Sequence, residues 1–166
     1  MGDYVVARLH AHHALDGFEC ANDVLTAWLK LSARTADNKG TARVWVYTKH
    51  GSEAVVGYFA LSPHLVKRDG ASKLMRGDPD EIPAILLGKL AVDNQLRGQG
   101  HGGELLHAAL TMCVQAVDRA GGRYVVVDAI DDEAQSFYEH YGFIAMPSAE
   151  LRLIRKASAI KADLSE

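Results

Sequence analysis

The sequence predicts an α/β protein built on a mixed sheet, and three observations predict it. Two runs rich in β-branched and aromatic residues, "ARVWVYTK" and "AVVGYFAL", flank a short turn at Gly51 and read as an antiparallel hairpin. Two later runs, "AILLGKLAV" and "RYVVVDA", are almost continuously apolar and read as buried strands. Each is followed by a helical pattern, and helices between buried strands imply parallel pairs. The 166 residues suit one domain over residues 1–166 with one sizeable core.

The elements follow in order. "YVVARL" opens the chain as a strand. "NDVLTAWLKLSAR" reads as one helix, capped by Asn22 or Asp23, with Val24, Leu25, Trp28, Leu29 and Leu31 on a broad apolar face. The hairpin comes next. Residues 62–82 hold "RDG", "RGDPDE" and two prolines, and read as a long loop with a short periodic piece around Lys73 and Arg76. "AILLGKLAV" then enters a glycine-rich turn. Beyond it Leu105, Leu106, Ala109, Leu110, Met112, Cys113, Ala116 and Val117 recur at helical spacing until Gly121 stops the helix. After "RYVVVDA", "DDEAQSFYEHYG" is a short helix with an acidic start and Gly142 as its stop. "ELRLIRK" is a last strand. No repeat, low-complexity tract or linker interrupts this order.

Eighteen Lys and Arg against 21 Asp and Glu give a net charge of −3, which argues against indiscriminate nucleic-acid binding. Residues 30–97 nevertheless carry 11 Lys and Arg against 7 Asp and Glu, and the segment after Arg97 is acidic. Such a split allows a basic face on an acidic protein. Cys20 and Cys113 cannot make a disulfide framework; they read as small core residues in a reducing, cytoplasmic setting. No leader-like segment is seen, and no run approaches the roughly 20 apolar residues of a membrane span. The protein is expected to be soluble, unexported and without a membrane partner.

"LAVDNQLRGQGHGGELL" runs from a strand through glycines into a helix. Backbone N–H groups at such a turn, with the positive end of the helix dipole, make an anion site. A P-loop needs Gly-Lys-Ser/Thr, and here Gly103 is followed by Glu104. Gly98, Gly100 and Gly103 do match G-x-G-x-x-G. However, a dinucleotide motif follows the first strand of its unit and needs an acidic residue about 20 positions on. Here the turn comes late, Asp118 lies mid-helix, and Asp128 is too far on. A tight strand–helix turn that holds no ligand is the plain alternative.

"RGQGHG" matches the R/Q-x-x-G-x-G/A acyl-CoA signature of the GCN5-related N-acetyltransferases, the GNAT family. "AQSFYEHYGF" matches that family's second hallmark, A-x-x-F-Y-x-x-x-G-F, at the expected distance. The resemblance implies the GNAT acyl-CoA N-acyltransferase fold with a splayed central sheet, and acetyl-CoA as cosubstrate. It implies that Arg97, Gly98, Gln99, Gly100, His101, Gly102 and Gly103 hold the CoA pyrophosphate. Leu90, Ala91 and Val92 would line the pantetheine arm, with a backbone N–H near Val92 polarising the thioester carbonyl. Asp93 would end that strand.

In the same resemblance Phe137 belongs to the cofactor site and Tyr138 is the catalytic residue, its family counterpart being assigned as general acid. A free Tyr has a pKa of about 10 and a thiol about 8.5, so full proton transfer is not strongly downhill. Tyr138 then reads as a hydrogen-bond donor to developing charge on sulfur. Its structural alternative is packing with Phe137 and Phe143. Asp131 occupies a position where many relatives place an Asn that contacts CoA, and a carboxylate cannot donate.

No general base is evident. His10, His12 and His13 crowd near the first strand but lack a Cys or carboxylate at metal spacing, so no metal is expected. The histidines read as surface or loop groups, with His101 lending only its backbone to the turn. An amine of low pKa would need no strong base.

A closer resemblance covers nearly the whole chain. "DGFECANDVLTAWLKLSAR", "GTARVWVYT", "VVGYFALSP", "IPAILLGKLAVD" and "VVVDAIDDEAQSFYEHYGF" look like the acetyltransferase toxins of bacterial toxin–antitoxin pairs. These share Phe18, Cys20, Trp28, Leu29, Ile82, Pro83, Asp128 and Ala129; Cys20-Ala21 stands where many have Cys-Gly. The resemblance implies acetylation of the α-amino group of aminoacyl-tRNA, arrest of translation, a homodimer, and a ribbon-helix-helix antitoxin as partner. The basic excess then has a use, because a tRNA backbone needs Lys and Arg. The candidates are Lys30, Arg34, Arg43 and Lys89, with Lys67, Arg68, Lys73 and Arg76 from the long loop region. Arg97 is divided between tRNA and the CoA phosphates. Two other readings stay open: an acetyltransferase for a small-molecule or protein amine, and a non-catalytic CoA-binding module. A polyamine would want an acidic pocket, and the intact Tyr138 and glycine turn count against a module without activity.

Overall fold

The computed structural model describes residues 2–166; Met1, the first residue of the expected domain, lies outside them. The strands are β1 (Tyr4–Arg8), β2 (Arg43–Lys49), β3 (Val55–Lys67), β4 (Glu81–Val92), β5 (Tyr124–Asp128), β6 (Ile144–Ala145) and β7 (Arg152–Lys156). The helices are α1 (Asp23–Leu31), α2 (Ala33–Lys39), α3 (His101–Ala120), α4 (Asp132–His140) and α5 (Ala157–Leu164). The strands pair in the order β1-β2-β3-β4-β5-β7-β6. β4 and β5 are parallel, whereas β1–β2, β2–β3, β5–β7 and β6–β7 are antiparallel, which makes the sheet mixed as expected. Among the described residues no helix is long and apolar enough to cross a membrane.

The described residues group into two compact units. One holds the residues up to Ser62 together with Lys89–Ala109, and the other holds Pro63–Gly88 with Leu110–Glu166. β3, β4 and α3 each contribute to both.

In the first unit, Asn22 caps α1 by accepting from the Leu25 N–H at 3.0 Å, and Leu25 and Leu29 turn inward. They meet Phe18, Val44, Val46 and Tyr58 in the core. Tyr58 is fully buried, edge-on to Phe18 and stacked on Trp28, and its hydroxyl donates to the Leu25 carbonyl at 2.7 Å. That bond satisfies the one polar atom of a side chain whose burial is worth roughly 2–3 kcal/mol. Cys20 is buried as expected, its thiol against Asn22 and Thr26. At Gly57 a Cβ would come within 3.2 Å of Tyr47 Cβ and 3.3 Å of both the Ala91 carbonyl and Leu105 Cδ2. A glycine there lets Tyr47 of β2, the Ala91 carbonyl of β4 and Leu105 of α3 close in on β3.

In the second unit, Val66, Met75, Ile82, Tyr124, Met146 and Ile154 form the core. Cys113 is buried here, and burial pushes its thiol up to about 12. Asp69 accepts from the backbone N–H and the hydroxyl of Ser148, both at 2.8 Å. Asp78 pairs with Arg123 at 2.7 Å and accepts from the Tyr124 hydroxyl. These contacts order the connection between β3 and β4.

Several boundaries differ from the sequence reading. The helix expected over "NDVLTAWLKLSAR" breaks at Ser32 and resumes as α2. The break leaves Ala33 fully buried and lets Asp37 accept from Arg8 and from the Val44 N–H. The loop expected over residues 62–82 is shorter, because β3 runs to Lys67 and β4 starts at Glu81. Val66 and Ile82 are each 1% exposed in the second core, and that burial outweighs the proline signal. The last strand is confined to Arg152–Lys156, and β6 and α5 were not foreseen.

Candidate active site

The residues singled out in the sequence fall in both units. Leu90, Ala91, Val92 and residues 97–103 belong to the first; Asp131, Phe137 and Tyr138 belong to the second.

The β4–β5 ladder runs from the Ala84/Tyr124 pair to the Leu87/Val127 pair, and β4 continues five residues further, to Val92. Asp93 ends the strand. Its N–H donates to the Val56 carbonyl at 2.8 Å. Its Oδ1 caps a 3₁₀ turn, Asn94–Leu96, by accepting from Gln95 N at 3.0 Å, and its Oδ2 accepts from Glu19 N at 3.1 Å. Asn94 N donates back to the Glu19 carbonyl at 2.9 Å. The end of β4 is therefore locked to the segment before α1.

The turn proper needs its glycines. Gly98 and Gly100 take φ of 75° and 86°, a region that costs any other residue roughly 1–2 kcal/mol. α3 opens at His101, so the first N–H groups of the helix lie in the turn without internal acceptors. N–H groups of this kind, together with the helix dipole, have the chemistry to receive an anion.

The His101 side chain is not the loop group expected. It is 3% exposed, and its Nδ1 lies 2.7 Å from the Tyr47 hydroxyl. Its ring is edge-on to Tyr4 at 4.6 Å, and Tyr4 stacks on Tyr47 at 5.0 Å. Burial, then Glu104 and Tyr4, push the Tyr47 phenol up to about 12. The sequence reading missed Tyr4 and Tyr47; the one available signal was a bulky residue set among glycines.

His13 is also buried rather than exposed. Its Nδ1 accepts from the His10 N–H at 2.9 Å. Burial first, then His12, His10 and Arg34, hold it below the ordinary imidazole value, with Glu53 opposing.

In the second unit, Arg152 Nε and Nη2 bind Asp128 Oδ1 and Oδ2 at 2.7 and 2.9 Å, fixing the end of β5. Asp131 Oδ1 caps α4 by accepting from Ala134 N at 2.8 Å, which gives the carboxylate a local role. Tyr138 is buried, with Phe137 and Phe143 edge-on at 5.3 and 5.7 Å. Its carbonyl accepts from Tyr141 N and Phe143 N at 3.0 and 3.2 Å, closing the helix end. Its hydroxyl bonds no protein group among the described residues, and burial raises its pKa well above the ordinary tyrosine value. Tyr138 is thus packed and also carries an uncommitted donor.

The basic candidates divide. Arg34 donates to the His10 and His13 carbonyls at 2.9 and 2.6 Å, and Arg43 donates to the Asp37 carbonyl at 2.9 Å. Lys89 lies over the Trp28 ring, and Arg68 pairs with the exposed Asp80. Lys30, Lys67, Lys73 and Arg76 are exposed and make no ion pair among the described residues.

Residues 40–145 match the family model described as "Acetyltransferase (GNAT) domain". The "tRNA-acetylating toxin" of Mycobacterium tuberculosis is 37% identical over 138 residues, covering 82% of each chain. The structure of AtaT complexed with acetyl-methionyl-tRNAfMet superposes with a TM-score of 0.87 at 26% identity, over 96% of this chain and 98% of that one. A Tyr-to-Phe mutant of the toxin AtaT, bound to the C-terminus of the antitoxin AtaR and acetyl-CoA, gives 0.85 at 25% identity over 99% of both.

Proposed function

This chain belongs to the GNAT acetyltransferases, and from that premise we propose that it moves the acetyl group of acetyl-CoA onto the α-amino group of aminoacyl-tRNA. It acts as the toxin of a toxin–antitoxin pair, blocks translation in the cytoplasm, works as a homodimer, and is silenced by a ribbon-helix-helix antitoxin. The observation that carries this reading is the 37% identity to the tRNA-acetylating toxin across 82% of both chains. The turn at residues 98–103, with its positive-φ glycines and helix N-terminus, has the chemistry that a pyrophosphate requires.

Each residue then has a task. The backbone of Gly98, Gln99, Gly100, His101, Gly102 and Gly103 receives the pyrophosphate, with Arg97 adding charge beside it. Leu90, Ala91 and Val92 offer strand hydrogen bonds to the pantetheine amides, as in strand addition. A backbone N–H near Val92 stabilises charge on the thioester oxygen. Acetyl-CoA supplies the activated acyl group. The amine nitrogen forms the C–N bond, the C–S bond breaks, and the amine loses one proton to solvent. Tyr138 donates a hydrogen bond to the departing sulfur, and its raised pKa suits a donor that keeps its proton. The α-amino group of an aminoacyl ester is partly neutral near pH 7, so no strong base is required.

The test is acetyl label from acetyl-CoA on charged tRNA, with growth after induced expression. Labelled aminoacyl-tRNA and an arrest relieved by Tyr138→Phe support the reading. Unlabelled tRNA with normal growth overturns it.

A further inference from the structure

We propose that the buried Tyr47–His101 hydrogen bond is the strut that holds the glycine turn in its anion-binding shape. Tyr47 and His101 are then positioning residues for the pyrophosphate of acetyl-CoA. The inference rests on the assignment of that turn to acetyl-CoA.

Residues 98–103 contain four glycines, so only Gln99 and His101 carry side chains that can tether the turn. Glycine backbone has more freedom than any other, and a cradle made of it is ordered by its ligand unless something orders it beforehand. Both tethers are present. Gln99 Nε2 donates to the Gln95 carbonyl at 3.0 Å, but that bond is exposed and competes with water. The His101 bond to Tyr47 is buried and 2.7 Å long, so it is the stronger constraint.

The anchor at the other end is rigid. Tyr47 lies in β2 opposite Val6 of β1 and Gly57 of β3, so both edges of its strand are paired. Tyr4 stacks on its ring and meets His101 edge-on. The close approach at Gly57 packs the Ala91 carbonyl and Leu105 against the same place. Tyr47 therefore stands beside Gly57 of β3, the point on which β4 and the start of α3 close in. Burial keeps its proton on the phenol across the neutral range, so it can donate to Nδ1.

The full chain and its variants are tested by binding of acetyl-CoA and of acetyl-pantetheine, which lacks the pyrophosphate and nucleotide. Wild type should prefer acetyl-CoA. Tyr47→Phe, which keeps the ring, should weaken acetyl-CoA roughly three- to tenfold, the size of one lost buried hydrogen bond, and leave acetyl-pantetheine within about twofold. His101→Leu should do the same. His101→Asn, whose Oδ1 can stand where Nδ1 does, should restore most of the affinity. Equal losses for both donors in Tyr47→Phe and His101→Leu would mean general loosening and would overturn the strut, as would unchanged affinity for acetyl-CoA. If wild type binds the two donors alike, the acetyl-CoA assignment of the turn itself fails.

Discussion

Glu19 and Asp93 are 74 residues apart in the chain, and the backbone N–H of one donates to the carboxylate of the other at 3.1 Å. The second carboxylate oxygen caps the turn after β4, so one buried side chain joins two segments at the strand end. Asp93→Ala leaves two donors without partners and should cost about 2–4 kcal/mol in denaturant unfolding. Asp93→Asn keeps one acceptor and should cost roughly half of that. Equal stabilities for the two variants would contradict this account of the carboxylate.

Tyr138→Phe removes a hydroxyl that bonds no other protein group among the described residues, so the fold loses little. Turnover with acetyl-CoA and charged tRNA should fall about 10²-fold while the melting temperature stays close to that of wild type. Near-normal turnover would remove Tyr138 from the chemistry, and a large drop in melting temperature would assign it to packing instead.

Mild acidification should weaken the fold through two histidines. His13 is held below its free value of 6.5, and so is His64, by burial and then Arg152, with Asp128 opposing. Between the lowered folded value and 6.5 the unfolded chain binds more protons, so stability falls as pH falls through that window and is full above it. Protonating His13 Nδ1 also ends its bond from the His10 N–H. The urea midpoint should decline from about pH 7 toward pH 5, less steeply in His13→Asn. A midpoint that rises or stays level over that range would refute the assignment.

Arg34 and Arg76 should respond differently. Arg34→Ala loses two bonds to backbone carbonyls and should cost roughly 1–3 kcal/mol of stability. Arg76→Ala should leave the melt unchanged, weaken tRNA binding and reduce its salt dependence, because an exposed arginine acts through phosphate contacts. Titrating tRNA at several salt concentrations, beside thermal melts, separates the two.

Much of the fold was legible because its signals are local. The hairpin, β5 and α4 follow from spacing, caps and stops that lie within each segment. The break at Ser32 was not legible, since it answers to Asp37 reaching Arg8 and Val44 across the sheet edge. The ends of β3 and β4 were misplaced because Pro63 and Pro83 weigh against a strand locally, while Val66 and Ile82 gain a shared core. α5 has weak periodicity of its own and is held by Ile160 in the core and by Lys161 on Asp118.

By itself the sequence determined the mixed α/β class, the glycine turn that opens α3 and the α4 motif carrying Tyr138, because each is written in residues close together in the chain. Tertiary structure alone decided that Arg34 serves the backbone and that His101 is buried against Tyr47. Those roles depend on partners brought within about 3 Å by packing, and a hydrogen bond has no sequence signature when its two ends lie 54 residues apart.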